Sequence, residues 1–449
     1  MLSDPIVALA TPPGRSAIAV IRLSGSGSLA VAARCVAPLP ETPRRVVRAT
    51  LTDPRTHEVI DEPLVASYAA PKSYTGEDML EVFTHGGMLV PAEAVTAFVA
   101  AGARHARPGE FTRRAVRNGK MDLLQAEATA DLIDAASPAQ RRSALHQLDR
   151  GLSERLAALR TELVELEALL CYEIDFPDED GGPVSGERIA AAWGNARTRI
   201  ADLLRTAPEG ERLHEGALVV IAGKPNAGKS SLFNALLGRD RAIVTEVPGT
   251  TRDAIEASAV IEGLPFRLVD TAGLRATHDR IEQLGIEVSR RYLGAADLIL
   301  YCEETREAGS DEREAGGREE FLAQCSAPVI TVLTKSDRLP LPACRFPAVS
   351  AHTGSGLDIL KRRLAETAFG GLLASGDIEP IVTRARHRIA LEHALTELDA
   401  FHAARAEGID AVAAATHLRA AVGALEDLIG VVTPDDVLDR VFAAFCIGK

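Results

Sequence analysis

The sequence has few aromatic residues and no apolar run long enough to cross a membrane. Aromatic residues make up 4% of the 449 residues, with one tryptophan, whereas hydrophobic residues make up 46%. A sizeable core is therefore available, and aliphatic side chains and alanine must fill it. Since a membrane-spanning helix needs roughly 20 consecutive apolar residues, we expect no membrane association.

Secretion and zinc-binding signals are also missing. Residues 1–5 (MLSDP) lack the basic segment and apolar core of a secretory signal, so we expect a cytoplasmic protein. The six cysteines have no C-x-x-C spacing. In a cytoplasmic chain we expect them to be reduced, and most of them to be buried as small apolar groups. The 11 histidines show no metal-ligand spacing, so no zinc site is predicted.

The net charge of −13 argues against a general nucleic-acid binder, which would show a basic surface. The charge is uneven along the chain. Residues 1–120 contain 14 basic and 11 acidic residues, a net +3, which leaves −16 for the rest. We therefore expect any RNA contact to be local and to be helped by a partner.

The octapeptide GKPNAGKS (223–230) has the pattern of a phosphate-binding loop. It follows the apolar run LVVIA (218–222) and precedes SLFNALL (231–237), a good helix start. This strand–loop–helix context is what the motif requires. Glycines allow backbone N–H groups to curl around phosphate oxygens. Lys229 is predicted to reach the terminal phosphates, and the Ser230 hydroxyl to bind Mg²⁺.

Three further motifs follow in order, each at the end of a predicted strand. DTAG (270–273) offers Asp270 for a Mg²⁺-bound water and a glycine N–H near the γ-phosphate. TKSD (334–337) offers the carboxylate of Asp337, an acceptor that fits the N–H edge of guanine. SA (350–351) is placed to support the same base. Together the four motifs predict a GTP-binding domain.

The base-reading motif departs from the usual GTPase pattern, because Thr334 stands where an asparagine normally opens it. An amide donates and accepts through separate atoms, whereas a hydroxyl uses one oxygen for both. We expect guanine selectivity to survive through Asp337, and nucleotide affinity to be weaker.

The chain divides into four predicted segments: mixed α/β (1–119), helical (120–215), GTPase (216–375) and helical again (376–449). The first helical segment has an apolar stripe with spacings of three and four, formed by Leu145, Leu148, Leu152, Leu156, Leu159, Leu163, Leu166 and Leu170. The two helical segments either form one bundle with the GTPase domain inserted into it, or two separate pieces. Periodicity alone leaves both arrangements open.

Along its whole length the sequence resembles the MnmE (TrmE) family of tRNA-modifying GTPases. The resemblance lies in motifs that a generic GTPase lacks. These are ATPPGR (10–15), SYTGED (73–78), ARPGEF (106–111), DLLQAEA (122–128), IDFPDE (174–179) and the terminal FCIGK (445–449).

The resemblance implies a multidomain fold with a folate-binding α/β amino-terminal domain, a helical bundle and an inserted Ras-like P-loop GTPase domain. It also implies a constitutive homodimer and a bound 5-formyl- or methylene-tetrahydrofolate. The positions that match the folate contacts are Arg22, Glu81, Lys120 and Lys449. For each, a surface ion pair is the alternative. Cys446 matches a cysteine important for modification, and packing is its alternative role.

For hydrolysis, the position that usually carries a water-orienting glutamine is Leu274, which cannot hydrogen-bond to water. The resemblance points instead to Glu282 as the catalytic carboxylate; an ordinary helix-face glutamate is the alternative. It also implies a potassium ion held by Asn226 and by the loop TEVPGTTRD (245–253). The matching potassium ligands are Asn226, Thr245, Val247 and Thr250, and the matching Mg²⁺ ligands are Ser230 and Thr251.

The predicted nucleotide contacts combine the motifs with these matches. They are Asn226, Ala227, Gly228, Lys229, Ser230, Ser231, Thr245, Thr250, Thr251, Asp270, Gly273, Thr334, Lys335, Asp337, Ser350 and Ala351. The catalytic candidates are Lys229, Glu282 and Cys446.

The family resemblance implies modification of the wobble uridine of tRNA with a folate-derived one-carbon unit. An FAD-dependent partner of the GidA (MnmG) type would take part, and the product would carry an aminomethyl or carboxymethylaminomethyl group. The alternatives are a regulatory GTPase of the ribosome-assembly type and a stand-alone folate aminomethyltransferase.

Overall fold

The computed structural model of the protein describes residues 4–175, 186–238, 256–271, 291–305, 321, 325–338, 346–375, 382–430, 441–442, 445 and 448. The chain forms two compact units. The first contains Met1–Ala130 and Glu426–Lys449, and the second contains Asp131–Leu425.

The first unit is built on a six-stranded sheet and a small three-stranded sheet. Its strands are β1 (Ile6–Leu9), β2 (Gly14–Ser24), β3 (Val36–Ala37), β4 (Val46–Arg48), β5 (Thr50–Thr52), β6 (Val59–Asp61), β7 (Leu64–Tyr68), β8 (Met79–Gly87) and β9 (Arg104–His105). The large sheet has the order β4-β7-β8-β2-β1-β9, with β1 and β9 parallel and the other neighbours antiparallel. The small sheet has the order β3-β5-β6. Its helices are α1 (Ser28–Ala32), α2 (Leu89–Ala100), α3 (Glu110–Arg117) and the start of α4 (Leu123–Asp134).

The core of this unit follows from the alternation of side chains along its strands. In β8, Leu80 and Val82 are fully buried on one face of the sheet, whereas Glu81 between them is only half-buried. Helix α2 packs against the sheet through Ala94, Ala97 and Phe98. The alternation leaves Glu81 on the opposite face of the sheet from this core.

A buried charge network joins α3 to two neighbouring segments. The guanidinium of Arg114 is 1% exposed and contacts carboxylates of Glu110 at 3.0 Å, Glu77 at 3.1 Å and Asp4 at 3.1 Å. Arg104 also binds Glu110, at 2.6 Å. Burial raises the pKa of Glu110. Hydrogen bonds from Arg104, the backbone N–H of Arg107 and Arg114 more than offset this and lower the pKa from 4.5 to about 2.

We expect Glu110→Gln to lower the free energy of unfolding of the first unit by about 3 kcal/mol at pH 7. The substitution removes one of the negative charges that neutralise the buried guanidinium of Arg114. A carboxyl whose folded pKa is depressed stabilises above its unfolded pKa. The contribution is therefore full above pH 4.5 and is lost as pH falls towards 2. The difference between wild type and variant should shrink over this window. Denaturant-dependent hydrogen exchange in peptides from residues 4–120 measures this difference in the free energy of unfolding at each pH.

The matched control is Glu93→Gln, which changes an exposed glutamate on α2. It should leave stability within about 0.5 kcal/mol of wild type at every pH. A Glu110→Gln penalty that stays the same from pH 7 to pH 3 would contradict the assigned role of the ionised carboxyl.

The second unit combines long helices with a five-stranded sheet. Its helices are α5 (Pro138–Leu148), α6 (Gly151–Asp175), α7 (Gly186–Glu215), α8 (Lys229–Leu237), α9 (Leu357–Ser375), α10 (Ala385–Ala406) and α11 (Ala411–Ile429). Ser137 starts α5 with a capping box, in which its side chain and that of Gln140 satisfy each other's backbone N–H groups.

The predicted leucine stripe lies mainly on α6. The buried members, each at most 1% exposed, are Leu152, Leu156, Leu159, Leu163, Leu166 and Leu170. Leu145 instead lies on α5 and is 48% exposed. Between the two helices Arg150 takes a positive φ of 64°, which changes the direction of the chain and ends the shared periodicity. The buried stripe therefore does not include Leu145, and Leu148, which also lies on α5, is only half-buried.

Helices from before and after the nucleotide-binding segment pack against each other. The indole of Trp193 on α7 donates to the carbonyl of Leu398 on α10 at 2.9 Å and stacks on the ring of His402 at 3.8 Å. Arg197 pairs with Asp399 at 2.7 Å. The two helical segments thus share one bundle, into which the nucleotide-binding segment is inserted. The boundaries of the four predicted segments stay a prediction.

The inserted segment has strands β10 (Ala217–Gly223), β11 (Glu256–Ile261), β12 (Leu264–Asp270), β13 (Leu298–Glu304) and β14 (Val329–Thr334). Their order is β11-β12-β10-β13-β14. Strands β12, β10, β13 and β14 pair in parallel, and β11 pairs antiparallel with β12. Ligands of such sheets bind beyond the carboxyl ends of the strands. The predicted motifs follow the ends of β10, β12 and β14 and so share this edge.

The four cysteines in the described ranges form no disulfide. Cys35 and Cys302 are buried, as expected, and burial raises their pKa values to about 11 and about 12. Cys171 and Cys325 are only half-buried, so burial is less general than predicted. Within the described ranges, no helix combines the length and the apolar character needed to span a bilayer.

Candidate functional site

The loop after β10 needs glycine at its first position because it passes close to β13. Gly223 has a φ of +142°, and a Cβ there would lie 2.4 Å from the carbonyl oxygen of Cys302. Farther along, Asn226 and Gly228 take positive φ values of 63° and 77°. Such turns direct successive backbone N–H groups towards one concave side, where an anion binds. Gly228 then becomes the N-cap of α8, whose positive dipole end supports the same site.

Lys229, the first residue of α8, lies inside this loop. Its side chain is mostly buried, with 7% exposed. The ammonium group donates to the carbonyl oxygens of Gly223 at 3.0 Å and Lys224 at 2.8 Å. The loop thus holds a positive charge at the centre of its concave side.

Two oxygen-bearing side chains meet at the next position. The Ser230 hydroxyl donates to a carboxylate oxygen of Asp270, at the end of β12, at 2.6 Å. Thr271 is fixed beside them, because its hydroxyl donates to the carbonyl of Ile221 at 2.8 Å. Oxygen donors are the ligands that Mg²⁺ prefers. The pair of Ser230 and Asp270 therefore fits the predicted magnesium site.

Thr334 connects the end of β14 to the phosphate-binding loop. It is 2% exposed, and its hydroxyl oxygen lies 2.8 Å from the carbonyl of Ala227 and 3.0 Å from that of Glu303. A hydroxyl donates one hydrogen, so it serves one of the two carbonyls at a time. Thr334 thus braces the loop through its side chain. The expected weaker nucleotide affinity stays a prediction.

Asp337, the carboxylate predicted to read the base, is exposed. A hydrogen bond from Ser350, followed by one from its own backbone N–H, lowers the pKa of Asp337 below its usual value. Ser350 is fully buried and its hydroxyl accepts from the N–H of Thr353 at 3.1 Å. Lys335, with a φ of 57°, pairs with Glu304 at 2.8 Å. Asp337 can therefore accept two hydrogen bonds from a ligand.

Several predicted site residues lie outside the described residues. Those near the nucleotide are Thr245, Val247, Thr250, Thr251, Gly273 and Glu282, and those at the carboxyl terminus are Cys446 and Lys449. Ser231 is exposed on the first turn of α8, and Ala351 begins the turn after Ser350. The described members of the predicted nucleotide set come together at one edge of the sheet.

The first unit contains a second site, a cavity of about 370 Å³. It is lined by Arg44, Tyr68, Lys72, Ser73, Tyr74, Met79, Glu81 and Lys120. Two of the four predicted folate residues, Glu81 and Lys120, therefore share it. Arg44, Tyr68 and Lys72 also line the cavity and were not predicted from the sequence. For Lys72, its position directly before SYTGED (73–78) was an available signal.

Arg22 adjoins this cavity through Glu81. Its guanidinium donates to one oxygen of Glu81 at 2.9 and 3.1 Å, and the Tyr68 hydroxyl donates to the other oxygen at 3.2 Å. Burial, the charge of Glu81 and this hydrogen bond raise the pKa of Tyr68, which keeps it a donor. Arg22 thus forms an ion pair, as its alternative role required, and its partner Glu81 lines the cavity.

The chain terminus also reaches Arg22. The Gly448 carbonyl lies 3.4 Å from a guanidinium nitrogen of Arg22. A Cβ on Gly448 would lie 2.4 Å from the carbonyl oxygen of Leu9, and its φ is +100°. Glycine is therefore needed at position 448.

Comparisons with known proteins identify the family of the chain. A family model of the MnmE helical domain matches residues 123–446, and one of the amino terminus of the GTP-binding protein TrmE matches residues 5–120. The chain is 41% identical over 459 residues to the tRNA modification GTPase MnmE of Geobacter metallireducens, covering 100% of both chains. It is 44% identical over 456 residues to that of Methylobacterium radiotolerans, covering 100% of this chain and 99% of the relative.

Among solved structures, the G domain of the T. maritima iron transporter FeoB is 28% identical with a TM-score of 0.24, covering 34% of this chain and 98% of that one. Era of Aquifex aeolicus bound to GDP·AlF4⁻ is 28% identical with a TM-score of 0.27, covering 33% and 56%. The family models and the full-length relatives decide the assignment: the chain belongs to the MnmE family of tRNA modification GTPases.

Proposed function

We propose that this GTP hydrolase modifies the wobble uridine of certain tRNAs, together with an FAD-dependent partner of the GidA (MnmG) type. The observation that carries the proposal is the presence of two sites in one chain. One is the phosphate loop with its base-reading carboxylate, and the other is the Glu81 cavity with its cations. A regulatory GTPase has no need for the second site.

In GTP binding, the loop at 223–228 takes the phosphates and Lys229 exchanges its two loop carbonyls for phosphate oxygens. Ser230 and Asp270 are the described residues that would hold Mg²⁺, and Thr251 is proposed as a further ligand. When bound there, Mg²⁺ would supply positive charge that offsets the charge of the phosphates. Asp337 accepts from the N–H edge of guanine, which gives selectivity over adenine.

For hydrolysis, Glu282 is the carboxylate proposed to orient the attacking water, since Leu274 cannot. Asn226, Thr245, Val247 and Thr250 are the residues proposed to hold K⁺. Asn226 fits this role because it is exposed on the phosphate loop with a positive φ. A cation beside the phosphates offsets the charge that develops in the transition state.

In the first unit we propose that the cavity holds a tetrahydrofolate derivative. Glu81 accepts from the N–H edge of the pterin ring, and Arg22 fixes Glu81 in place. Lys120 and Lys449 supply cations for the glutamate carboxylates of the folate. Cys446 is proposed to act near the one-carbon unit. The cavity volume of about 370 Å³ is in the range of small-molecule sites.

The test of the function is mass spectrometry of tRNA nucleosides from a strain that lacks this chain. We expect the wobble-uridine modification to disappear and to return with the wild-type chain. If the wild-type chain restores the modification and the Glu81→Gln variant does not, the modification depends on the cavity. Intact modification in the deletion strain would remove the proposal and favour a regulatory GTPase of the ribosome-assembly type.

We expect GTP hydrolysis by the purified protein to be at least about tenfold faster in KCl than in NaCl of matched ionic strength. Asn226→Ala should reduce this ratio towards one because it removes a proposed potassium ligand. The measurement is single-turnover phosphate release in both salts. Equal wild-type rates in the two salts would contradict the potassium mechanism and leave hydrolysis dependent on another activator.

A further inference from the structure

The cavity of the first unit has an inner wall and a rim of different chemistry. Met79 is 2% exposed and Ser73 is 9% exposed, and Glu81 is half-buried beside them. Arg44, Lys72 and Lys120 are exposed. The single carboxylate of the cavity lining is paired with Arg22. The rim therefore carries three positive charges that Glu81 does not neutralise.

Two of the rim cations are tied to one short segment of chain. The guanidinium of Arg44 donates to the carbonyl of Lys72 at 3.1 Å, and the ammonium of Lys120 donates to the carbonyl of Pro71 at 3.0 Å. Guanidinium and ammonium groups carry five and three N–H donors, so one such bond leaves donors for an anionic ligand. The rim thus has a defined geometry although its side chains are exposed.

The strained backbone of Arg44 also indicates that the rim is a ligand site. Its φ is +66°, a conformation that residues other than glycine adopt infrequently, and its N–H donates to the carbonyl of Ser67 at 2.7 Å. Backbone strain of this kind concentrates at ligand sites. The strained turn directs Arg44 back to the segment at 71–72.

We propose that Arg44, Lys72 and Lys120 form a subsite for the poly-γ-glutamate tail of the folate. The inference rests on the proposed folate site, with the pterin ring against Glu81. Each additional glutamate of the tail adds one carboxylate. Because the tail is covalently attached to a ring that is already bound, its carboxylates reach the rim at high effective concentration. The subsite selects polyglutamylated over monoglutamylated folate.

The observations favour a tail over an RNA backbone as the occupant. The three cations line one cavity of about 370 Å³ and do not form an extended basic stripe. A short flexible polyanion that is anchored at one end fits this arrangement.

The test measures the dissociation constants of 5-formyltetrahydrofolate with one and with five glutamates, using the full-length protein and isothermal titration calorimetry. We expect the pentaglutamate to bind about tenfold more tightly at low salt, with the ratio shrinking as salt rises. In the double variant Arg44→Gln/Lys72→Gln the ratio of the two dissociation constants should fall towards one, whatever the change in monoglutamate binding. Arg45→Gln, an exposed neighbour outside the cavity lining, should keep the wild-type ratio.

The possible outcomes separate this inference from the folate proposal. If neither folate binds to the wild-type protein, the folate site itself is wrong and this inference fails with it. If both bind equally well, the folate site stands and the tail subsite is wrong. A double variant that keeps the wild-type ratio, or that loses tRNA binding while keeping the ratio, overturns the assignment of the rim to the tail. The comparison of the two folates with the wild-type protein does not depend on whether any variant folds.

Discussion

Asp337→Asn is expected to weaken GTP binding at least about a hundredfold and to create binding of xanthosine triphosphate. In the proposed site the carboxylate accepts two charge-assisted hydrogen bonds from the guanine edge, and charge-assisted hydrogen bonds are the stronger kind. Asparagine presents an N–H₂ group there, so a hydrogen-bond donor faces a donor of guanine and one hydrogen bond is lost. Xanthine has a carbonyl in place of the amino group of guanine and so matches the amide. Equilibrium binding of fluorescent nucleotide analogues measures both effects.

The gain of xanthosine triphosphate separates altered recognition from unfolding. Asp358→Asn, an exposed acidic residue in the first turn of α9, is the matched control and should keep the preference for GTP. The hydrogen bond from Ser350 gives a second check, because it helps to lower the pKa of Asp337. Ser350→Ala should weaken GTP binding by a smaller factor. Unchanged GTP affinity in Asp337→Asn would show that another group reads the base.

Lys229→Ala is expected to reduce the rate of GTP hydrolysis by about 10²- to 10³-fold, the range observed when a charge-stabilising donor is removed from a reaction centre. Its ammonium lies at the centre of the phosphate loop, bound to the carbonyls of Gly223 and Lys224. Those carbonyls hold it only until phosphate oxygens replace them. Lys229→Arg should also be poorly active, because the larger guanidinium does not fit a position that is 7% exposed.

The control is Lys361→Ala on α9, a lysine outside the loop, which should hydrolyse GTP at the wild-type rate. Measuring the GTP dissociation constant beside the single-turnover rate divides the loss between binding and the chemical step. A Lys229→Ala variant that keeps more than about a tenth of the wild-type single-turnover rate would contradict the role given to Lys229.

The nucleotide site was largely predictable because its determinants are local. The strand, loop and helix around Lys229 occupy about 20 consecutive residues, and each supplies its own signal. These are an apolar run for β10, glycines for the loop, and helix-forming residues for α8. The later motifs follow apolar runs that became β12 and β14. Parallel strands bring their carboxyl ends to one edge, so the motifs converge without further information.

Sequence patterns were wrong about one residue and incomplete about another. Leu145 continued the leucine periodicity, but a positive φ at Arg150 starts a new helix and leaves Leu145 exposed. Thr334 looked like a weakened motif, and the structure shows it bracing the phosphate loop through Ala227, 107 residues away. Pattern matching carries no information about such contacts.

By itself, the sequence determined the order of elements, the class of fold, the GTPase motifs and, through whole-length resemblance, the family. These depend on short-range periodicity and on residue types at fixed spacing. Tertiary structure alone decided which cations surround Glu81, why Gly448 must be glycine beside Leu9, and which carboxylates accompany the buried Arg114. The physical reason is that burial and charge compensation depend on groups brought together from separate segments, such as Arg22 and Gly448, which lie 426 residues apart.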